Sequence, residues 1–233
     1  MSRANKPKFK IYSKLGLKLT DHPKISSGKL GAKKWQTLAA SRKPRRETEY
    51  GTLLQAKQRL RAFYGQLKDK QLTRLYIQAE QFEGNQMINF VKLLERRFDI
   101  VLFRLKISPS LRECQQLIQH GHFSINNTKV TVPSFILKED DFIAVNNDSI
   151  PFLKEKVKRY LSGIVHHKKI SKKQDFLEII KDNPILFIPN YLEFNYEIMA
   201  GKYISLPDAS NICYPMNPKL AYLMEYYKYK RKL

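Results

Sequence analysis

The chain has 233 residues, a formal net charge of +22, 42% hydrophobic and 12% aromatic residues, and two cysteines. That length and apolar content build a real core in one to two domains and exclude a tail disordered throughout, while the charge calls for a polyanion, of which nucleic acid is the usual one. Cys114 and Cys213 stand far apart without CxxC spacing, which excludes an all-cysteine zinc site and a disulfide framework, and no apolar run reaches the roughly 18 residues of a membrane span.

Residues 1–46 carry 14 Lys and Arg against Asp21 alone, with Pro7, Pro23, Gly28, Gly31 and Pro44 scattered among them. This reads as an extended basic arm with short helical turns, suited to lying along phosphates. Its densest clusters, "GAKKW" and "SRKPRRE", supply Lys33, Lys34, Arg42, Lys43, Arg45 and Arg46 as candidate RNA contacts. The opening residues, basic with almost no acid, have the composition of a mitochondrial presequence. Pro7, Gly16 and the lack of an apolar stripe argue against a presequence helix.

Residues 48–68 have Leu53, Leu60, Phe63, Tyr64 and Leu67 at helical spacing, which predicts a helix. Lys57, Arg59 and Arg61 lie off that stripe. Lys57 and Arg61 are four apart on one side, where two cations repel unless an anion lies against them. They are candidate phosphate contacts, and the plain alternative is a solvated basic face. A second helix is predicted over 70–82, ended by "EGN", and a third over 86–99 with Met87, Val91, Leu94 and Phe98 as its stripe. "IVLFRL" follows as a short apolar segment.

"SPSLRECQQLIQHG" carries helix signals at both ends. Ser108 is the expected cap, Pro109 fits the first turn, Glu113 supports the start and Gly121 closes the end. Leu111, Cys114, Leu117 and Ile118 form its apolar face. "HFSIN-NTKVTV" then predicts a hairpin, because Asn126 and Asn127 tolerate the positive φ that a two-residue turn demands. "FILKEDDFIAVN" adds strand around a "KEDD" turn. Residues 151–174 hold eight Lys and Arg against Glu155 alone and read as a basic linker with helical character. Beyond it lie a short helix at "DFLEII", a strand around "NYLEFNYEIM" and a terminal helix in "PKLAYLMEYYKYKRKL".

The corner at 97–135 is too small to hold a buried cofactor. It offers a concave surface edged by Arg97, Arg104, Arg112, His120, Asn126 and Lys129, which suits structured RNA read through phosphates and 2′-hydroxyls. Glu95, Asp99 and the "KEDD" acids offset these bases, so affinity requires that the charges segregate to one side. Arg97 and Arg104 have a rival role as core-supporting ion pairs with Asp99. No phosphate-cradling glycine loop is present, and His166-His167 lie among lysines without carboxylate partners. No enzyme activity, cofactor or metal site is therefore expected.

"YGTLLQAKQRLRAFYG", "EGNQMINFVKLLERRFDIVLFRL" and "ECQQLIQHGHFSINNTKVTVPSF" together resemble the fourth small-subunit ribosomal protein, the S-four family. The resemblance runs nearly continuously from Thr48 to Val145 and returns at "PNYLEF" and in the C-terminal helix. It implies an α+β fold in which a helical first domain, completed by the returning C-terminal helix, holds an inserted S-four RNA-binding domain of two helices on a short antiparallel sheet, with extended basic arms. The implied organisation is an arm at 1–46, the helical domain at 47–94, the S-four domain at 95–150, a basic linker or insertion at 151–174 and the returning segment at 175–233.

The resemblance also implies a job. Members bind the 5′ domain of small-subunit rRNA early in assembly, beside neighbouring ribosomal proteins and near the mRNA entry path, so neither a homo-oligomer nor a membrane partner is expected. Three departures stand out. The family's Asn-Gly turn is Asn126-Asn127 here, arginines are replaced by Leu111 and Gln115, and Thr128 stands where a base is common. Residues 150–190 have no counterpart in the family pattern. The opening "SRANKPKFKIYSKLG" looks like the family's mature N-terminus, so no removed presequence is expected. Richness in Lys, Ile, Tyr and Phe, with the insertion and eroded arginines, points to an organelle-encoded protein of the mitochondrial ribosome, with a plastid or the bacterial cytoplasm as alternatives. The competing function is a free-standing S-four-domain factor for ribosome rescue or assembly, which is expected to lack the arm and the first helical domain.

Overall fold

The computed structural model describes residues 48–167, 188–207, 212, 214 and 219–232. The arm at 1–46 and the expected helix at "DFLEII" lie outside these residues. In chain order the elements are α1 (Glu49–Phe63), α2 (Asp69–Glu80), α3 (Gln86–Glu95), α4 (Phe98–Arg104), α5 (Leu111–Gln119), β1 (Phe123–Ile125), β2 (Thr128–Lys129), β3 (Phe142–Val145), α6 (Ile150–His167), β4 (Leu192–Asn195), β5 (Ala200–Tyr203) and α7 (Leu220–Lys232). A 3₁₀ turn at Asn147–Ser149 leads into α6. The chain forms two compact units, 1–81 with 214–233, and 82–213. The second is thus inserted within the first.

The first unit is helical. Thr48 caps α1 by accepting the Gly51 N–H at 3.2 Å. The predicted helix stops at Phe63, five residues before Lys68, because Gly65 (φ 70°) and Gln66 (φ 62°) turn into the left-handed region. Leu53, Leu60, Phe63, Tyr64 and Leu67 are all buried, as their spacing requires. The terminal helix α7 lies against α1, with the Tyr226 ring 6.0 Å from Tyr50, and Tyr227 stacks on Tyr76 of α2 at 5.0 Å.

The second unit is α+β. Its five-stranded antiparallel sheet has the order β2-β1-β3-β5-β4. The Asn126-Asn127 turn has φ of 48° and 63°, with Ile125 paired to Thr128 across it, so two asparagines serve the primed turn without glycine. The single strand expected at 190–199 is instead a hairpin. Asn195 Oδ1 accepts the Glu197 N–H at 2.8 Å and turns the chain from β4 into β5. The helix expected over 86–99 divides at Arg97, which is extended (φ −70°, ψ 135°) and bridges Ile136. "IVLFRL" therefore belongs to a separate helix, α4, whose first amides donate to the Phe135 and Pro133 carbonyls at 2.8 and 3.1 Å.

The cap of α5 is Ser110, which accepts the Glu113 N–H, while Ser108 donates its hydroxyl to the Glu113 carboxylate. Cys114, Leu117 and Ile118 join the core formed with α4 and the inner face of β1 and β3, and Leu111 is buried as well. The segment read as a linker is the packed helix α6 from Ile150, with Leu153 and Val157 buried in that same core. The helix α3 lies in the second unit, on the far side of the 94/95 boundary drawn from the sequence.

Candidate nucleic-acid interface

Two of the expected RNA contacts are interior. Arg97 and Asp99 are both buried, and the guanidinium donates to both carboxylate oxygens, Nε to Oδ1 at 3.0 Å and Nη2 to Oδ2 at 2.8 Å. Asp99 also accepts the Ile100 N–H at 3.0 Å and the Gln115 side-chain amide at 2.8 Å, filling its four acceptor positions. Arg104 makes the same bidentate pair with buried Glu95, at 3.0 and 2.7 Å, and the Tyr191 hydroxyl donates to Glu95 at 3.2 Å. Burial and the Glu95 charge raise the Tyr191 phenol well above its ordinary value, which keeps it protonated as a donor. The concave rim expected from Arg97 and Arg104 is thus corrected. Both are tied to carboxylates inside the second unit, where losing either partner would strand a buried charge.

The structure places both residues that depart from the family's arginines. Gln115 is taken up by Asp99, and Leu111 is a buried core residue. Neither position is open to a phosphate here.

Arg112, His120, Asn126 and Lys129 are at the surface. Arg112 is half-buried on α5, and His120, Asn126 and Lys129 are exposed. Gly121 ends α5 at φ 73°, and a Cβ there would clash with Lys129 Cε, so the lysine stem lies across the glycine. His120 and His122 have ring centroids 6.0 Å apart, and His122 Nδ1 is 2.8 Å from the Ser149 hydroxyl. Burial, with the positive charges of His120, Lys156 and Lys129, holds the His122 imidazole below its ordinary value. Asn126 serves the fold as well, since its amide donates to Asp141 and its carbonyl accepts the Phe142 N–H, each at 2.9 Å.

Helix α6 brings Lys156 to this edge, where sequence reasoning had only a linker charge. Its Nζ lies 2.7 Å from Glu113 and 5.6 Å from the Phe152 ring centroid. Exposed Lys154 and Lys158 flank it on the same helix, and exposed Arg159 pairs with Glu155. The second unit therefore holds a basic edge built from the end of α5, the hairpin and the first turns of α6. Its chemistry is that of a phosphate and base reader: cations on long stems, imidazoles and amides over a rigid sheet. Among the described residues no group of three or more His, Cys, Asp or Glu could hold a metal, and no helix is long and apolar enough to cross a membrane. Cys114 is buried, which pushes its thiol far above the ordinary value.

In the first unit the expected basic face of α1 is corrected at Lys57. That residue is buried, with Nζ 3.1 Å from Asp69 and 2.7 Å from the Tyr226 hydroxyl. Arg61 is half-buried and donates Nε to the Leu67 carbonyl at 2.6 Å, and Arg59 is half-buried. Lys33, Lys34, Arg42, Lys43, Arg45 and Arg46 lie outside the described residues.

Comparison with known proteins adds a separate line. Residues 3–95 match the family model described as ribosomal protein S4/S9 N-terminal domain, and residues 96–143 match the one described as S4 domain. The chain is 30% identical over 227 residues to the small ribosomal subunit protein uS4 of Rhodospirillum centenum, covering 97% of this chain and 99% of the relative. It is 32% identical over 180 residues to uS4 of Rickettsia canadensis, covering 77% of each. With uS4 of Dinoroseobacter shibae the identity is 26% over 227 residues, 97% of this chain and 98% of the relative.

Proposed function

The chain belongs to the S4 family of small-subunit ribosomal proteins, and from that premise we propose that it is a structural constituent of a small ribosomal subunit, held there by rRNA. The observation that carries this reading is the match along both units, since residues 3–95 resemble the family's N-terminal domain and not the S4 domain alone. A free-standing S4-domain factor has no need of that segment. The basic edge of α5, the hairpin and α6 supports the reading physically, because it presents positive charge on a rigid surface.

We extend the proposal to the 5′ domain of small-subunit rRNA as the bound region, to neighbouring subunit proteins, and to a position beside the mRNA entry path. The chain acts as a single copy and by binding, not by turnover. Arg112, His120, Asn126 and Lys129, with the arm lysines and arginines, are the proposed rRNA contacts. The named relatives are bacterial, which supports the bacterial cytoplasm among the three compartments and gives the mitochondrion no support.

The test is sedimentation of the tagged protein in high salt, with sequencing of the RNA crosslinked to it. Migration with the small subunit and crosslinks in the 5′ domain are expected, and the genome encoding that rRNA assigns the compartment. Protein at the top of the gradient with mixed RNAs or none would overturn the ribosomal reading.

A further inference from the structure

Helix α6 begins beyond residues 96–143, which match the S4 domain, and it is anchored in the core of the second unit by Leu153 and Val157. Between those anchors and the hairpin stands an aromatic that the core does not use. Phe152 is 52% exposed, one of several large apolar side chains at the surface, and exposure alone assigns it no occupant. Its surroundings are specific. The His122 imidazole lies 5.8 Å from its ring at a tilt of 35°, the His120 ring lies 6.0 Å beyond His122, and Lys156 Nζ is 5.6 Å from its centroid. His122 is itself fixed by Ser149.

Rings backed by fixed cations are how proteins hold unpaired nucleotides. Every base has a π-face to stack, and the adjacent phosphates meet the cations. Here Lys156 Nζ stands near the Phe152 ring, and the Lys129 stem lies across Gly121, the chain neighbour of His122. The nearby acids are Glu113, which pairs with Lys156, Glu155, which pairs with Arg159 on the same helix, and exposed Asp148 in the 3₁₀ turn. An apolar protein partner would meet this ring of charge at a desolvation cost, whereas a nucleotide matches it.

We propose that Phe152, with His122 beside it, is a stacking site for one unpaired rRNA base, so that α6 extends the RNA-binding edge beyond the S4 domain proper. The proposal rests on the rRNA-binding reading above and adds one contact to it. Leu153 and Val157 set the height of the ring, and the 3₁₀ turn at Asn147–Ser149 brings it beside His122. Phe152 reads no sequence by hydrogen bonding. The contact selects for an unstacked base at a fixed place on the RNA.

The experiment uses the full chain and an in-vitro transcript of the small-subunit rRNA 5′ domain from the same genome. Affinity and salt slope are measured for the wild type and for Phe152→Ala, Phe152→Leu and Phe152→Tyr. Because the ring is half in water, the variants keep the wild-type thermal midpoint. Ala and Leu are expected to weaken binding about tenfold with an unchanged salt slope, since stacking and not charge is lost, while Tyr retains affinity. Wild-type affinity in the Ala variant, or full rescue by Leu, would overturn the stacking site and leave the rRNA-binding reading standing. Failure of the wild-type chain to bind the transcript would overturn both.

Discussion

The ion pairs at Glu95–Arg104 and Arg97–Asp99 and the basic edge at His120–Lys129–Lys156 lie in one unit and draw on the same residue chemistry, but they serve different ends. In the interior each guanidinium is matched by a carboxylate in bidentate geometry, and each acid accepts further donors from Gln115, Ile100 or Tyr191. At the edge His120, Asn126 and Lys129 are exposed, and burial, joined by the charges of His120, Lys156 and Lys129, disfavours a proton on His122. The difference is one of local partners. A cation that folding brings within reach of a desolvated carboxylate becomes part of the fold, and one held over a glycine turn is left to meet phosphates.

The sharpest way to break this contrast is Arg104→Ala. It leaves the Glu95 carboxylate buried without its bidentate guanidinium, and we expect a loss of about 3–5 kcal/mol in urea unfolding. RNA affinity of the folded fraction should keep its salt slope; a lost slope would return Arg104 to the RNA face. Gly121→Ala comes next. The residue is left-handed and the new methyl strikes the Lys129 stem, so about 1–2 kcal/mol of stability should go and RNA affinity should fall with it.

Lys129→Ala sharpens the comparison from the other side. Stability should stay within about 0.5 kcal/mol, as for ordinary surface substitutions. The slope of log affinity against log salt should shrink by about one. Lys57→Ala is its control in the first unit: it should lower stability by about 1–2 kcal/mol through the lost Asp69 and Tyr226 contacts and leave that slope alone.

The smallest expected effect is a pH dependence at Asp69. Burial pushes its carboxyl up, but hydrogen bonds from Lys230 and Lys57 outweigh this and hold it below the ordinary value. The folded protein therefore binds this proton less readily than the unfolded chain. The stabilisation is complete above the ordinary carboxylate range near pH 4 and is lost as pH falls through the lower folded value. Asp69→Asn should flatten the acid limb of a urea-midpoint profile, and an unchanged limb would contradict the assignment.

Much of the fold was legible in the sequence because its signals are local. The stripe from Leu53 to Leu67, the α5 face from Leu111 to Ile118 and the Asn126-Asn127 turn are set by spacing and backbone preference within a few residues. The misplaced features depend on where the chain meets itself. Arg97 and Asp99, two apart, would not face each other within a helix. They meet because Arg97 sits just outside α4 in an extended conformation fixed by Ile136. Lys57 looks open to a phosphate in the sequence because its acid, Asp69, belongs to the next helix. The helical character expected of 151–174 is present in α6, but the charge there masks its packing, for which the four-residue spacing of Leu153 and Val157 is the available signal. Masked with it are Lys156 and Phe152, an apolar residue off that stripe.

The division of charge between fold and RNA is tested most directly by crosslinking the protein to rRNA in the assembled particle and sequencing the attached peptides. The account predicts adducts on the hairpin and the start of α6, within 120–129 and 152–159, and none on Arg97 or Arg104. Adducts on either buried arginine, with the edge unlabelled, would contradict it.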